Sequence, residues 1–189
     1  MTREQILQAA AQIISRKGYH AASMQDIAQA VRLQKASLYH HVSSKQDILL
    51  ALLDQALDLL IANMLEVMAL PLPADEKLRL AILAYLENML AHRELASVLL
   101  LEHRSLQPEF RARHTPRRDR FERLWRELIQ EGLERGLFAC CDPALAARYL
   151  LGVLNWTITW YRPEGTLSPG EIADQFAGLF LNGLLARPG

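Results

Sequence analysis

The chain has little cysteine, no unbroken hydrophobic run long enough to cross a bilayer, and no excess of charge of either sign. Its only cysteines, Cys140 and Cys141, are adjacent. Neighbouring residues strain a mutual disulfide, and there is neither CxxC spacing nor a nearby histidine for zinc, so the pair reads as two ordinary thiols and no metal site is expected. Apolar stretches are interrupted by charged or amide residues short of the roughly 18 that a membrane helix needs. The polar opening Met-Thr-Arg-Glu-Gln begins a helix rather than an export signal, which reads as cytoplasmic with no membrane partner. Also missing are GxSxG, HExxH, a Walker loop and paired zinc ligands. Nothing therefore supplies a nucleophile or an activated water, and neither catalytic residues nor an enzyme is expected. No segment alternates as a strand does, and neither repeats nor low-complexity tracts occur.

What is present is a globular composition of 189 residues, 51% hydrophobic and 22% charged. The net charge of zero hides an asymmetry. Residues 1–50 hold Arg3, Arg16, Lys17, Arg32, Lys35 and Lys45 against Glu4, Asp26 and Asp47, a local charge of +3 balanced by −3 over the remainder. A basic head on an acidic body confines phosphate attraction to one end.

Periodicity predicts an all-α chain of about nine helices. Thr2-Arg3-Glu4-Gln5 is a capping box, Ile6, Ala10, Ile13 and Ile14 form the first buried stripe, and Gly18 follows Arg16-Lys17 as a stop. Ser23-Met24-Gln25-Asp26 opens a short helix to about Ala30, and another runs from about Gln34 to His40. Ser43-Ser44-Lys45-Gln46 caps a long apolar helix that ends at Leu70-Pro71-Leu72-Pro73. Further helices are expected near 75–91, 94–106, 116–135, 143–161 and 168–186. Gly136 closes the third of these, and Arg162-Pro163-Glu164-Gly165 separates the last two.

Two short helices crossing steeply need a small residue at the crossing, apolar residues facing inward and polar residues on the outer face of the second. Ala28 is the small residue; Ile27, Val31, Leu33 and Leu38 face inward; Gln34, Lys35, Ser37, Tyr39 and His40 project. From Ser23 to Lys45 the pattern resembles the TetR family: hydroxyl cap, Asp-Ile-Ala, a turn, Lys-small-hydroxyl-Leu-Tyr-His and a distal Ser-Lys. That resemblance implies a three-helix helix-turn-helix DNA-binding domain at 1–46 and a larger helical ligand-binding and dimerisation domain at 47–189. It implies phosphate contacts from Tyr39 and Lys45, base reading by Gln34, Lys35, Ala36 and Ser37, and further backbone contacts from Ser23 and His40. The residue types suit those roles, since phenol and ammonium hold phosphate oxygens while Gln and Lys reach base edges. The pattern departs from the family at Arg32, where the turn usually has glycine, at Gln34, where a capping hydroxyl is usual, and at Val42, where an aromatic is usual. Adjacent His40 and His41 read as a DNA contact and a packing residue.

A lone helix-turn-helix reads few base pairs, so a homodimer on a near-palindromic operator is expected. Gly152, Gly178 and Gly183 interrupt the last two apolar helices, which makes those helices the expected interface, with close packing inside one subunit as the alternative. The stretch Gly152-Val153-Leu154-Asn155-Trp156, with Trp160 to Gly165 and Leu167-Ser168, resembles the C-terminal region of TetR-type regulators of fatty-acid, aromatic-acid and steroid catabolism. That likeness implies release from DNA by a small hydrophobic effector, an acyl-CoA thioester, with an uncharged hydrophobic compound as the alternative; no cofactor is expected. Arg104, Arg111, Arg113, Arg117, Arg118, Arg120, Arg123 and Arg126 suit CoA phosphates, of which Arg104 and Arg118 are the chosen candidates. Met89, Phe121, Trp125, Asn155 and Trp156 are expected to line the acyl site. Ion pairing with Asp119, Glu122 and Glu127 on a solvated helix face, and an ordinary core, are the competing explanations.

Overall fold

A computed structural model describes residues 2–139 and 142–184; the two cysteines, and the expected helix end near 186, lie outside the described residues. Nine α helices and one 3-10 turn make up the described chain: α1 Arg3–Lys17, α2 Met24–Ala30, α3 Lys35–Leu38, α4 Lys45–Met68, α5 Ala74–Ala91, α6 Arg93–Glu102, the turn His103–Ser105, α7 Pro108–Glu134, α8 Pro143–Trp160 and α9 Pro169–Leu184. The expected all-α class is what the structure shows.

Local chemistry sets many of the ends. Thr2 and Gln5 satisfy each other's backbone N–H groups at the start of α1, and Ser23 and Asp26 do the same for α2. Ser44 Oγ accepts from the Asp47 N–H at 3.0 Å at the head of α4, and Asp142 accepts from the Leu145 N–H at 2.8 Å at the head of α8. Gly18 and Gly136 stop α1 and α7 with φ of +79° and +68°, a region that costs glycine nothing.

Two elements differ from the sequence expectation. Helix α7 begins at Pro108 rather than near 116 and runs through Pro116. Pro108 lies in the first turn, where an N–H has no intrahelical partner, and the helix accepts the single lost bond at Pro116. Helix α3 stops at Leu38 rather than at His40. The N–H groups of His40 and His41 turn back three residues, to Ser37 and Leu38. Those tighter bonds leave Tyr39 and His40 in a turn.

Packing divides the chain into two compact units, Met1–Asp58 with His92–Arg117, and Leu59–Ala91 with Arg118–Gly189. Compactness therefore does not follow a single cut at residue 46. In the first unit α1 packs on α2 and α6, and Ile6, Ala10, Ile14, Ile27, Leu38, Ile48, Leu49 and Val98 fill the interior. A polar clamp joins α4 to α7 there: His114 Nδ1 lies 2.9 Å from Asp54, and Arg117 donates to Asp54 at 2.7 Å and to Asp58 at 2.8 Å. In the second unit α5 packs on α8 and α9 around Leu78, Ile82, Leu86, Leu128, Leu150 and Leu154. Lys77, itself buried, is paired with Glu131 at 3.2 Å. Helix α4 has the length and mean hydropathy of a membrane span, but 56% of its apolar window is buried in protein, as in a core helix.

Candidate DNA-reading head and ligand cavity

In the first unit, Ala28 is fully buried where α2 meets α3, with Ile27, Val31 and Leu38 around it and Leu33 half-buried. The turn between the helices is closed by the Leu33 N–H donating to the Ala28 carbonyl at 2.8 Å. It requires Arg32 at φ +55°, the left-handed region, so the residue standing in place of a glycine carries backbone strain.

The outward set is presented as a group. Gln34, Lys35, Ala36 and His40 are exposed, Tyr39 is 47% exposed and Ser37 is half-buried. Gln34 is the N-cap of α3 but makes no capping bond, so its amide remains uncommitted. Ser23 is exposed, yet its hydroxyl is engaged with Asp26 in the α2 cap. Asp26 also pairs with Lys17 at 3.0 Å; that ammonium, with the Ser23 hydroxyl and N–H, holds the carboxyl down at about 2. Lys45 does not reach outward. Its Nζ sits 4.3 Å from the Tyr19 ring centroid and 3.4 Å from the His20 carbonyl, and burial lowers its pKa against the opposing pull of Asp26 and Glu102. Beside it Gln46 is fully bonded: its amide nitrogen donates to the Tyr19 hydroxyl and the Ser105 carbonyl, and its oxygen accepts from the Gln107 N–H. Sequence reasoning treated Gln46 only as part of a cap. Its partners lie 27 to 61 positions away.

In the second unit, Leu60, Asn63, Met64, Ala81, Ala84, Tyr85, Phe121 and Trp125 enclose a cavity of about 10 Å³, room for about one water. Tyr85, Phe121 and Trp125 meet there, with ring centroids 6.0 to 6.3 Å apart. The Tyr85 hydroxyl donates to Asn155, and burial pushes the phenol above its ordinary range. Of the expected ligand residues, Phe121 and Trp125 line this cavity, Asn155 reaches it through Tyr85, and Met89 is buried one turn further along α5.

Trp156 does not line it. At 66% exposure it falls on the outer stripe of α8 with Leu145, Tyr149 and Trp160, because one residue after Asn155 rotates the helix by about 100°. Leu179 of α9 is exposed as well, at 75%. Tyr149 meets Phe180 and Trp160 meets Phe176, with centroids 5.6 and 6.4 Å apart, so these α8 aromatics lean on α9. Neither chosen arginine is among the residues that line the cavity. Arg104 is exposed on the 3-10 turn of the first unit, and Arg118 is exposed and paired with Asp119 at 2.9 Å. Tyr85, the stripe of α8 and the cavity's α4 and α5 wall went unassigned; the spacing of Leu145, Tyr149, Trp156 and Trp160 was the available signal for the stripe.

A short polar-faced helix set on a capped partner, in a chain that also holds a second, more apolar helical unit, is the arrangement of a helix-turn-helix DNA-binding regulator. Residues 6–52 match the family of bacterial regulatory proteins called tetR, and residues 71–184 match the tetracyclin repressor-like C-terminal domain. The chain belongs to the TetR family. It is 27% identical over 184 residues to the HTH-type transcriptional repressor KstR2 of Mycobacterium tuberculosis, covering 96% of this chain and 92% of that protein. The crystal structure of the TetR family regulator PfmR from Thermus thermophilus is similar at 38% identity and a TM-score of 0.87, covering 94% of this chain and 97% of that one. A structure of AibR in complex with isovaleryl coenzyme A and operator DNA is similar at 31% identity and a TM-score of 0.86, covering 94% and 96%. Family and relatives are transcriptional regulators, so this chain is a regulator and not an enzyme.

Proposed function

We propose that the protein is a cytoplasmic homodimeric repressor that leaves a near-palindromic operator when a CoA thioester binds its second unit. The likeness to AibR, whose structure holds both isovaleryl coenzyme A and operator DNA, is the observation that carries this reading. Within the chain, Gln34, Lys35, Ala36 and Ser37 read bases, while Tyr39, Lys45, Ser23 and His40 hold the DNA backbone. Lys45 takes that role by swinging off the Tyr19 ring. The half-site spacing is that of a dimer, about 34 to 36 Å, formed through α8 and α9. Supporting that interface, a Cβ added at Gly152, Gly178 or Gly183 would meet nothing within 4 Å in its own chain. These glycines are therefore not explained by packing inside one subunit, and they sit beside an exposed apolar stripe.

The acyl group enters the Tyr85–Phe121–Trp125 cavity. Its present 10 Å³ requires the wall to open, so the ligand favours a different arrangement of α4, α5 and α7. Helix α4 continues from Lys45 at the head and carries that preference to the spacing of the two heads. Arg120, Arg123 and Arg126 are exposed on α7 without an acidic partner among the described residues, and they offer guanidinium groups to CoA phosphates. One observation favours an uncharged hydrophobic effector instead: Arg117 is already held by Asp54 and Asp58, and Arg118 by Asp119.

A DNA-binding titration at fixed salt, on the DNA flanking the protein's own gene, with a panel of acyl-CoAs and the matching free acids, tests both readings. Specific binding abolished by certain CoA esters but not by their acids is the expected result. Specific binding unmoved by every ester assigns the cavity to an uncharged compound, and no specific binding overturns the repressor.

A further inference from the structure

The cavity between α4, α5 and α7 is walled chiefly by carbon, from Leu60, Met64, Ala81, Ala84 and Phe121. Polar groups interrupt that wall. The Tyr85 hydroxyl is committed to Asn155. The indole of Trp125 is 1% exposed, lines the cavity, and its Nε1–H has no acceptor among the described residues. Roughly nine in ten buried polar groups in native proteins are hydrogen-bonded, so an orphaned donor on a residue that lines a cavity calls for an acceptor. Asn63 also lines the cavity, but neither its carboxamide nor any other acceptor among the described residues is bonded to the indole. The wall can also yield, since Met64 is unbranched and repacks readily while Ala81 and Ala84 leave the α5 side thin.

We infer that this cavity recognises a carbonyl oxygen of the effector, which accepts a hydrogen bond from Trp125 Nε1–H while the attached apolar group lies against Leu60, Met64 and Phe121. The inference rests on the second unit being the effector domain. It adds that the buried end of the effector is not plain hydrocarbon. In a CoA thioester the oxygen is either that of the thioester or an oxo group on the acyl chain.

The test uses the full-length protein with its three tryptophans labelled with nitrogen-15 at the indole, so that each gives one N–H resonance. Trp156→Phe and Trp160→Phe, both at exposed positions, assign the Trp125 signal. Cyclohexanone should move that signal downfield, and methylcyclohexane, of the same shape without the oxygen, should not. Trp125→Phe should weaken cyclohexanone about tenfold more than methylcyclohexane, since the smaller ring alters the packing of both and only cyclohexanone also loses a hydrogen bond. Hexanoyl-CoA and 3-oxohexanoyl-CoA distinguish the sources: equal weakening by Trp125→Phe marks the thioester oxygen, and weakening confined to the second marks the oxo group. If that variant does not fold, the resonance shifts of the parent protein decide alone.

A Trp125 signal that no carbonyl compound moves, or that shows an N–H already bonded to a bound water and undisturbed by ketone, overturns the inference. Operator release by hexanoyl-CoA with that signal unmoved overturns the carbonyl site and leaves the proposed function standing. A response to cyclohexanone with none to either thioester does the reverse: the carbonyl site stands and CoA is removed as effector.

Discussion

The interiors of the two units rest on different chemistry. In the first, polar groups do much of the fixing, through neighbours three residues away in the Thr2–Gln5 and Ser23–Asp26 boxes, through the Lys17–Asp26 pair, and over long range through Gln46 and the Asp54 clamp to His114 and Arg117. In the second, the Lys77–Glu131 and Tyr85–Asn155 contacts are set in an interior otherwise built of Leu, Ile and aromatic side chains. The contrast follows from what each half meets. A surface that docks on phosphates keeps polar side chains outward, whereas a body that, under the proposed function, accepts a hydrophobic ligand takes its stability from burial.

Substitutions that separate the two chemistries differ in size. The largest effect is expected in the body: Trp125→Ala should cost about 3–5 kcal/mol in chemical denaturation, the usual range for emptying a large aromatic site. A loss below about 1 kcal/mol would mean that the aromatic cluster contributes little. Next, Trp156→Glu on the exposed stripe should convert a dimer to a monomer in sedimentation and lower operator affinity, while helical content measured by circular dichroism stays unchanged. A dimer that persists would move the interface away from α8 and α9. Smaller again, Arg32→Gly should stabilise the protein by about 1 kcal/mol by relieving the left-handed backbone at φ +55°. No gain would show that the guanidinium offsets the strain.

The smallest effect is a pH dependence confined to the head. Asp26 has its folded pKa lowered to about 2, below its unfolded value, so its contribution is fully present above the ordinary carboxylate range and is lost as pH falls toward 2. Asp26→Asn should remove that part of the acid transition. A carboxyl resonance from Asp26 that titrates near 4 would show that the Ser23 and Lys17 contacts do not persist in solution.

Whatever depends on a few neighbouring residues was legible in the sequence. Both capping boxes, the stops at Gly18 and Gly136, and the conflict at Arg32 rest on local backbone needs that residue identity states directly. The outward set from Gln34 to His40 was legible for the same reason, although the early end of α3 was not, since a tightened last turn has no residue signature. Pro116 misled because a single lost hydrogen bond is tolerated inside a long helix that packs well. The cavity was half legible: Phe121 and Trp125 stand out by size, but the small residues facing them, Ala81 and Ala84, become a wall only once three helices have packed. Asn155 and Trp156 are adjacent in sequence and point about 100° apart on α8, which helical rotation decides once one of them is anchored by Tyr85.

The division between a head that reads DNA and a body that does not is tested most directly by measuring the salt dependence of operator binding for Lys45→Ala and Gln34→Ala beside the parent. Lys45→Ala should weaken binding to every DNA sequence and reduce the salt slope by about one, as loss of one phosphate contact does, whereas Gln34→Ala should keep the slope and alter sequence preference. Identical losses for all sequences in both variants, with the slope unchanged, would contradict the assignment of the head.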